Sequence, residues 1–442
     1  MPWLLPLFPG LARAASHVYY RLTVAGGSLP RDGPLLIVAN HPNSLVDPVL
    51  VQAAATRPVR FLAKAPLFTD LKVGWLVRGA GAIPVHRASD DPSQMGRNED
   101  TFRAVRAALA AGDAVGIFPE GKSHSEPALA PLRTGAARIA LGVGRAFPIV
   151  PVGLVLREKG KFRSDALALV GAAVEWDDLA ARGPDDAEAV RDLTSRIDAA
   201  LRRVTLNLER WEDQPLAVCA VRIWEAERSA APQPAERVSR LEVTTRVLAA
   251  IRERDDAAAL ALAEEVRGHC RRLRRLNLRP SDLRADTGLE RGLSWSARRV
   301  PVLLPLAAVV ALAGFLLFVI PFHATRQVAA LFRTDEDERS TYKLLSGIVL
   351  YTLWVLGLTF AAGIAWGPLG GLATLTGAPL VGMAGLLVRE RWRGDWRDAR
   401  RFLLLRSRRA LARQLAERQH GLAARLHALW ESYAAPAPGA AS

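Results

Sequence analysis

Pro34-Leu-Leu-Ile-Val-Ala-Asn-His-Pro-Asn-Ser-Leu-Val-Asp47 runs an apolar segment straight into a polar cluster. Pro34 to Ala39 reads as a strand and residues 45–56 as a helix. The alternation repeats downstream. Val59-Arg-Phe-Leu-Ala63, Ala82-Ile-Pro-Val-His86, Ala114-Val-Gly-Ile-Phe118 and Pro148 to Leu156 are β-rich, with helical patterns near 67–79, 98–111 and 132–145. Strands alternating with helices predict an α/β layer fold with a largely parallel central sheet. In such folds ligands gather beyond the carboxyl ends of the strands.

That rule singles out particular side chains. The first strand ends on Asn40-His41 and the third on Arg87, and the fourth runs into Phe118-Pro-Glu-Gly-Lys-Ser-His124. A histidine, two carboxylates (Asp47, Glu120) and two basic groups (Arg87, Lys122) thus converge on one rim of the sheet. Alone, each is unremarkable; their shared placement is the signal. The nearest approach to a nucleophile elbow, Gly121-Lys-Ser-His-Ser125, lacks the second glycine, and neither a phosphate-binding glycine loop nor a metal-ligand spacing occurs.

At these residues the sequence resembles the glycerol-phosphate acyltransferase superfamily. The family's four blocks stand in order as Asn40-His41 with Asp47, Gly81-Ala-Ile-Pro-Val-His-Arg87, Phe118-Pro-Glu-Gly121 and Val150-Pro-Val152, within a resemblance covering roughly residues 20–205. Five residues rather than the usual four separate His41 from Asp47, and the second signature reads F-P-E-G-K-S-H. Both departures are similar to the branch acting on glycerol-3-phosphate and dihydroxyacetone phosphate. The resemblance implies transfer of a fatty acyl group from acyl-CoA or acyl carrier protein, as co-substrate and with no further cofactor, to glycerol-3-phosphate. Lysophosphatidate, dihydroxyacetone phosphate or another lysolipid are the alternative acceptors. A noncatalytic lipid-binding scaffold on the same fold is the alternative of another class.

The residues fit that chemistry. Histidine suits removal of the acceptor's hydroxyl proton, because its pKa lies near physiological pH. A carboxylate fixes its tautomer and stabilises the imidazolium. His41 is the expected base and Asp47 its orienter. Arg87 matches a substrate-binding position of the family, while Lys122 and Arg133 are phosphate candidates by proximity. Glu120 and Gly121 match the second signature, with a close turn at Gly121 and Glu120 expected to bond the acceptor.

The rest of the 442 residues points to a membrane. Net charge is +15, from 59 Lys+Arg against 44 Asp+Glu, which suggests a polyanionic partner. Pro301 to Phe322 and Leu344 to Val388 contain no charge, enough for one span and two, the latter joined at Trp366-Gly-Pro-Leu-Gly-Gly371. The basic clusters flank these runs, which favours lipid over nucleic acid as partner. Arg271 to Arg299 and Arg389 to Arg425 are both arginine-rich, so the positive-inside rule puts both in the cytoplasm. Three full spans would separate them, so one element is expected to be shallow or re-entrant. Cys219 and Cys270 are too few for a disulfide framework and read as reduced, cytosolic thiols. The expected order is an interfacial segment 1–22 anchored by Trp3, Leu4, Leu5, Phe8, Tyr19 and Tyr20, and then the acyltransferase domain 23–205. A helical linker 206–298 follows, then a membrane region 299–388 with segments near 300–322, 344–365 and 370–388, and a basic C-terminal helix with tail, 389–442. The expected location is the cytoplasmic membrane, with the catalytic domain facing the cytoplasm.

Overall fold

A computed structural model of the protein describes residues 2–71, 73–86, 98–208, 210–228, 233–284, 303–331 and 339–434. They fall into two compact units, one holding residues up to 211 with 233–246 and 339–341, the other holding the remainder.

The first unit is built on a seven-stranded sheet. The strands are β1 (Tyr20–Gly26), β2 (Leu35–Ala39), β3 (Val59–Lys64), β4 (Ile83–Val85), β5 (Ala114–Ile117), β6 (Ile149–Leu156) and β7 (Ser164–Val170), in the order β1-β7-β6-β2-β5-β3-β4. Every pairing is parallel except β6 with β7. The α/β expectation therefore holds, with β1 and β7 added at one edge. The expected domain boundary at residue 22 falls inside β1.

Helices cover both faces. α1 (Phe8–Tyr19) packs on α2 (Val46–Ala54), which also meets β6 and β7. After α3 (Gly74–Gly79), α4 (Asn98–Ala110), α5 (Gly135–Leu141) and α6 (Ala187–Val204) form the other layer. Its core includes Leu36, Val38, Val115, Val105, Leu109, Ile139 and Leu193. Leu36 and Val38 point into that layer, and strand alternation turns Leu35 and Ile37 to the other. Asp186 starts α6 by accepting hydrogen bonds from the Glu188 and Ala189 N–H groups, at 3.0 and 3.1 Å. The end of α6 presses on β6 so closely that a Cβ at Gly153 would lie 1.8 Å from the Val204 carbonyl oxygen. The helix expected over 67–79 is broken. A short 3-10 turn covers Ala65–Phe68, and Asp70 accepts the Val73 N–H at 3.2 Å, just before α3 restarts.

Leu4, Tyr19 and Tyr20, expected in an interfacial anchor, are buried, although Trp3 remains exposed. The expectation of free thiols also fails. Cys219 on α7 (Gln214–Ala226) and Cys270 on α9 (Ala257–Arg275), which follows α8 (Pro234–Glu253), form a disulfide with Cα atoms 6.5 Å apart. Packing of α7 on α9 brings together thiols 51 residues apart.

α10 (Leu303–Leu331) and α11 (Arg339–Ser407) are long and apolar enough to cross a membrane, and few of their apolar residues are buried in the protein. α11 breaks at Gly367, whose φ of 75° precedes Pro368. α12 (Arg409–Ala434) lies within the basic C-terminal segment expected over 389–442. It packs on α7 and α9, with Trp430 buried edge-on to Trp224 at 5.8 Å. Arg401 pairs with Asp282 at 3.2 Å, so the two basic flanks of the apolar region meet.

Candidate active site

The sheet topology marks a place before any side chain does. The chain leaving β2 travels past β5 to β3, whereas the chain leaving β5 travels past β2 to β6. The two connections part in opposite directions, and this opens a crevice at the carboxyl ends of β2 and β5. Asn40-His41 leaves one strand there and Phe118-Pro-Glu-Gly121 the other.

His41 is held from three sides. Its Nδ1 lies 2.8 Å from Asp47 Oδ2, its ring stacks on Phe118 with centroids 4.2 Å apart, and its N–H donates to Glu120 Oε1 at 2.7 Å. Bonding to the carboxylate assigns the proton to Nδ1 and leaves the Nε2 lone pair free to accept one. Among the described residues Nε2 has no protein partner. Asp47 stands in the first turn of α2, fully buried, and its Oδ2 also accepts the Asn43 N–H at 2.6 Å. Burial pushes the Asp47 carboxyl above its ordinary value, opposed by its bond to His41, the Asn43 N–H and the charge of Lys159.

Glu120, expected to bond the acceptor, has three protein partners. It is buried, with Oε1 taken by His41 N–H and Oε2 by the Ala130 N–H at 2.8 Å and by His124 Nε2. His124 Nδ1 accepts the Glu126 N–H at 3.2 Å, so Nε2 carries the proton donated to Glu120. Glu120 therefore ties the loop that leaves β2 to the loop that leaves β5. Asn40 ties in a third strand, exchanging hydrogen bonds with both backbone groups of Leu154, at 2.7 and 3.0 Å.

Gly121 adopts φ 78°, where a Cβ would stand 3.2 Å from Arg133 Cγ; glycine lets the Arg133 stem lie over the turn. Lys122 and Arg133 are both exposed, with no ion pair among the described residues, on the loop that leaves β5. Arg87 lies outside the described residues. The chain before it is fixed by Asn98, which bonds the backbone N–H and carbonyl of His86 at 3.1 and 2.9 Å.

Three groups near the pair lacked a sequence signal of their own. Tyr20 opens β1, and Lys159 follows β6. Asn43 sits inside the quoted motif but has no assigned chemistry there. Lys159 reaches this rim because β6 runs parallel to β2, and the antiparallel return of β7, with β1 parallel to it, brings Tyr20 there.

Comparison with known proteins agrees with the geometry. The acyltransferase family profile matches residues 21–155. A Saccharomyces cerevisiae protein described as glycerol-3-phosphate O-acyltransferase 2 is 31% identical over 190 residues, 41% of this chain and 25% of the relative. A Bacillus subtilis 1-acyl-sn-glycerol-3-phosphate acyltransferase is 32% identical over 145 residues, 31% of this chain and 66% of the relative. The crystal structure of a 1-acyl-sn-glycerophosphate acyltransferase from Thermotoga maritima aligns with TM-score 0.35 and 22% identity, over 46% of this chain and 78% of that one. The chain thus spans about a quarter of the length of the first yeast relative.

Proposed function

We propose, on the premise that residues 21–155 are an acyltransferase domain of the glycerol-phosphate acyltransferase superfamily, that the protein acylates the hydroxyl of glycerol-3-phosphate from a fatty acyl thioester. The observation that carries this reading is the His41–Asp47 pair at the crevice, with Nε2 unoccupied. The acceptor oxygen attacks the thioester carbonyl carbon as Nε2 takes the hydroxyl proton. The buried carboxylate stabilises the imidazolium that results. Collapse of the tetrahedral intermediate breaks the C–S bond, and His41 returns its proton to the departing thiolate. Arg87, Lys122 and Arg133 hold the acceptor phosphate by charge-assisted hydrogen bonds. The donor is acyl-CoA or acyl carrier protein, and the scheme calls for no other cofactor.

Glycerol-3-phosphate is preferred over lysophosphatidate because the five-residue spacing and F-P-E-G-K-S-H depart from the lysophosphatidate pattern. The yeast relative carries the same acceptor in its description. A panel of acceptors offered with acyl-CoA and with acyl carrier protein tests the assignment; faster turnover of lysophosphatidate than of glycerol-3-phosphate overturns it.

α10 and α11 attach the enzyme to the cytoplasmic membrane, with catalysis on the cytoplasmic side. The Asp282–Arg401 pair supports entry and return on one face, because two hydrophilic partners in contact share one aqueous compartment. Cysteines placed near Arg284 and Arg400, after replacement of Cys219 and Cys270, then both resist a membrane-impermeant reagent in intact cells. Labelling of one alone makes the number of crossings odd and breaks this topology.

A further inference from the structure

The loop from His41 to Asp47 holds one residue more than the spacing usual in the superfamily. Within this loop Ser44, a non-glycine residue, stands at φ 50°. A longer loop with a left-handed residue needs something to fix it if the histidine and the aspartate are to meet reproducibly.

Asn43 is placed to do this. It is fully buried, and while its N–H donates to Asp47 Oδ2, its side-chain Nδ2 donates to the Tyr20 hydroxyl at 2.9 Å. The Tyr20 hydroxyl in turn donates to the Lys159 carbonyl at 2.5 Å. That same carbonyl accepts the Ser340 hydroxyl at 2.7 Å. Tyr20 and Ser340 are buried too, while Lys159, whose backbone carbonyl joins them, is partly exposed. Burial raises the Tyr20 pKa well above the ordinary tyrosine range, which keeps it a neutral O–H donor. All these residues belong to one compact unit. Ser340 is the second residue of α11, the helix that runs on into the apolar stretch.

We propose that Asn43 and Tyr20 are positioning residues that hold the Asp47 carboxylate against His41, and that Ser340 fastens this clamp to the root of the apolar helix. The inference rests on the reading of His41 as base. Neither Asn43 nor Tyr20 touches the reacting atoms. Their effect reaches the acceptor only through the orientation of Asp47, and α11 contributes to catalysis by closing the line at its buried end. The other titratable groups around the pair are Glu120 on the His41 N–H, His124 behind Glu120, and Lys159, whose charge favours the Asp47 carboxylate.

The full-length enzyme in detergent micelles is the material for the test. Tyr20→Phe removes one hydroxyl and keeps the ring. The expected result is a fall in kcat of about five- to tenfold with the acceptor KM unchanged, as for a lost hydrogen bond of about 1 kcal/mol. The acidic limb of the kcat/KM profile moves to lower pH, because a loosened carboxylate no longer favours the imidazolium. A purely structural tyrosine would lower the folded fraction without moving that limb. Ser340→Ala shows the same displacement in weaker form and Ser340→Thr restores it. In the Tyr20→Phe/Ser340→Ala double variant the effects do not add. Should Tyr20→Phe fail to fold, the Ser340→Ala and Ser340→Thr pair decides alone. Wild-type kcat and an unmoved limb in both Tyr20→Phe and Ser340→Ala, while His41→Ala is inactive, overturn the clamp and leave the base intact. Activity retained in folded His41→Ala overturns the base instead.

Discussion

The α/β unit and the two long apolar helices use the same residue types to opposite ends. Leu35-Leu-Ile-Val-Ala39 in β2 is at most 1% exposed, whereas Phe360 and Leu369 in α11 are 72% and 80% exposed. In the sheet, apolar surface leaves water by packing against the protein itself, between two helical layers. In α10 and α11 few such neighbours exist among the described residues, and both helices are long and apolar enough to cross a membrane. The difference teaches that hydrophobicity alone does not mark a core: what matters is which other surface covers it. The His41–Asp47 pair belongs to the first arrangement: Asp47 is fully buried and its Oδ2 lies 2.8 Å from His41 Nδ1.

The largest effect expected on this comparison is in the rigid unit. His41→Ala should lower turnover about 10²- to 10⁴-fold while membrane attachment and fold persist. Kinetics on the purified variant, with circular dichroism as the folding control, check both halves. A variant that also leaves the membrane fraction would mean that the two regions are not separable.

Next comes a matched pair of truncations. Leu36→Ala opens a cavity in the sheet core and should cost about 2–5 kcal/mol in unfolding experiments. Leu369→Ala, on an exposed helix face, should change the stability of the micelle-bound protein by no more than about 0.5 kcal/mol. Equal losses would show that α11 is covered by protein after all.

Smaller again is the phosphate contact. Arg87→Ala should raise the acceptor KM by about 1.5–3 kcal/mol of lost binding, roughly ten- to a hundredfold, and leave the donor KM alone. An effect confined to the thioester donor would move Arg87 to the phosphates of the carrier.

The smallest expected effect concerns pH. Burial raises the folded Asp47 pKa, so its contribution to stability is complete below the ordinary carboxylate pKa and declines as pH rises through the raised value. Relative to Asp47→Asn, the wild type should therefore lose thermal stability between acidic and neutral pH. Thermal melts of both proteins across that range check the sign. The variant should nonetheless be nearly inactive, since its amide cannot stabilise the imidazolium.

Much of the first unit was legible in advance. The alternation of β-rich runs with helical patterns is local, and the motif residues stand at strand ends, so the parallel strands and the rim could be read without coordinates. β1 and β7 were not. Tyr20–Gly26 straddles the boundary expected at residue 22 between an interfacial segment and the domain, and Ser164–Val170 follows a long turn; pairing of β1 with β7 and of β7 with β6 makes both strands. Glu120 was found by its motif, but its partners were not, since a carboxylate looks the same in sequence whether it faces a ligand or three protein donors.

By itself the sequence determined the fold class, the identity of His41 and Asp47 as partners, and the existence of long apolar segments. These follow from periodicity, residue chemistry and spacing, which are properties of neighbours along the chain. Tertiary structure alone decided that Tyr20, Asn43, Lys159 and Ser340 meet in one line of hydrogen bonds. It decided likewise that Cys219 pairs with Cys270 and that Asp282 reaches Arg401. Each of these contacts joins residues far apart in sequence. Only burial makes them matter: away from water an unpaired polar group is costly, so the packing of distant segments selects the partners that satisfy it.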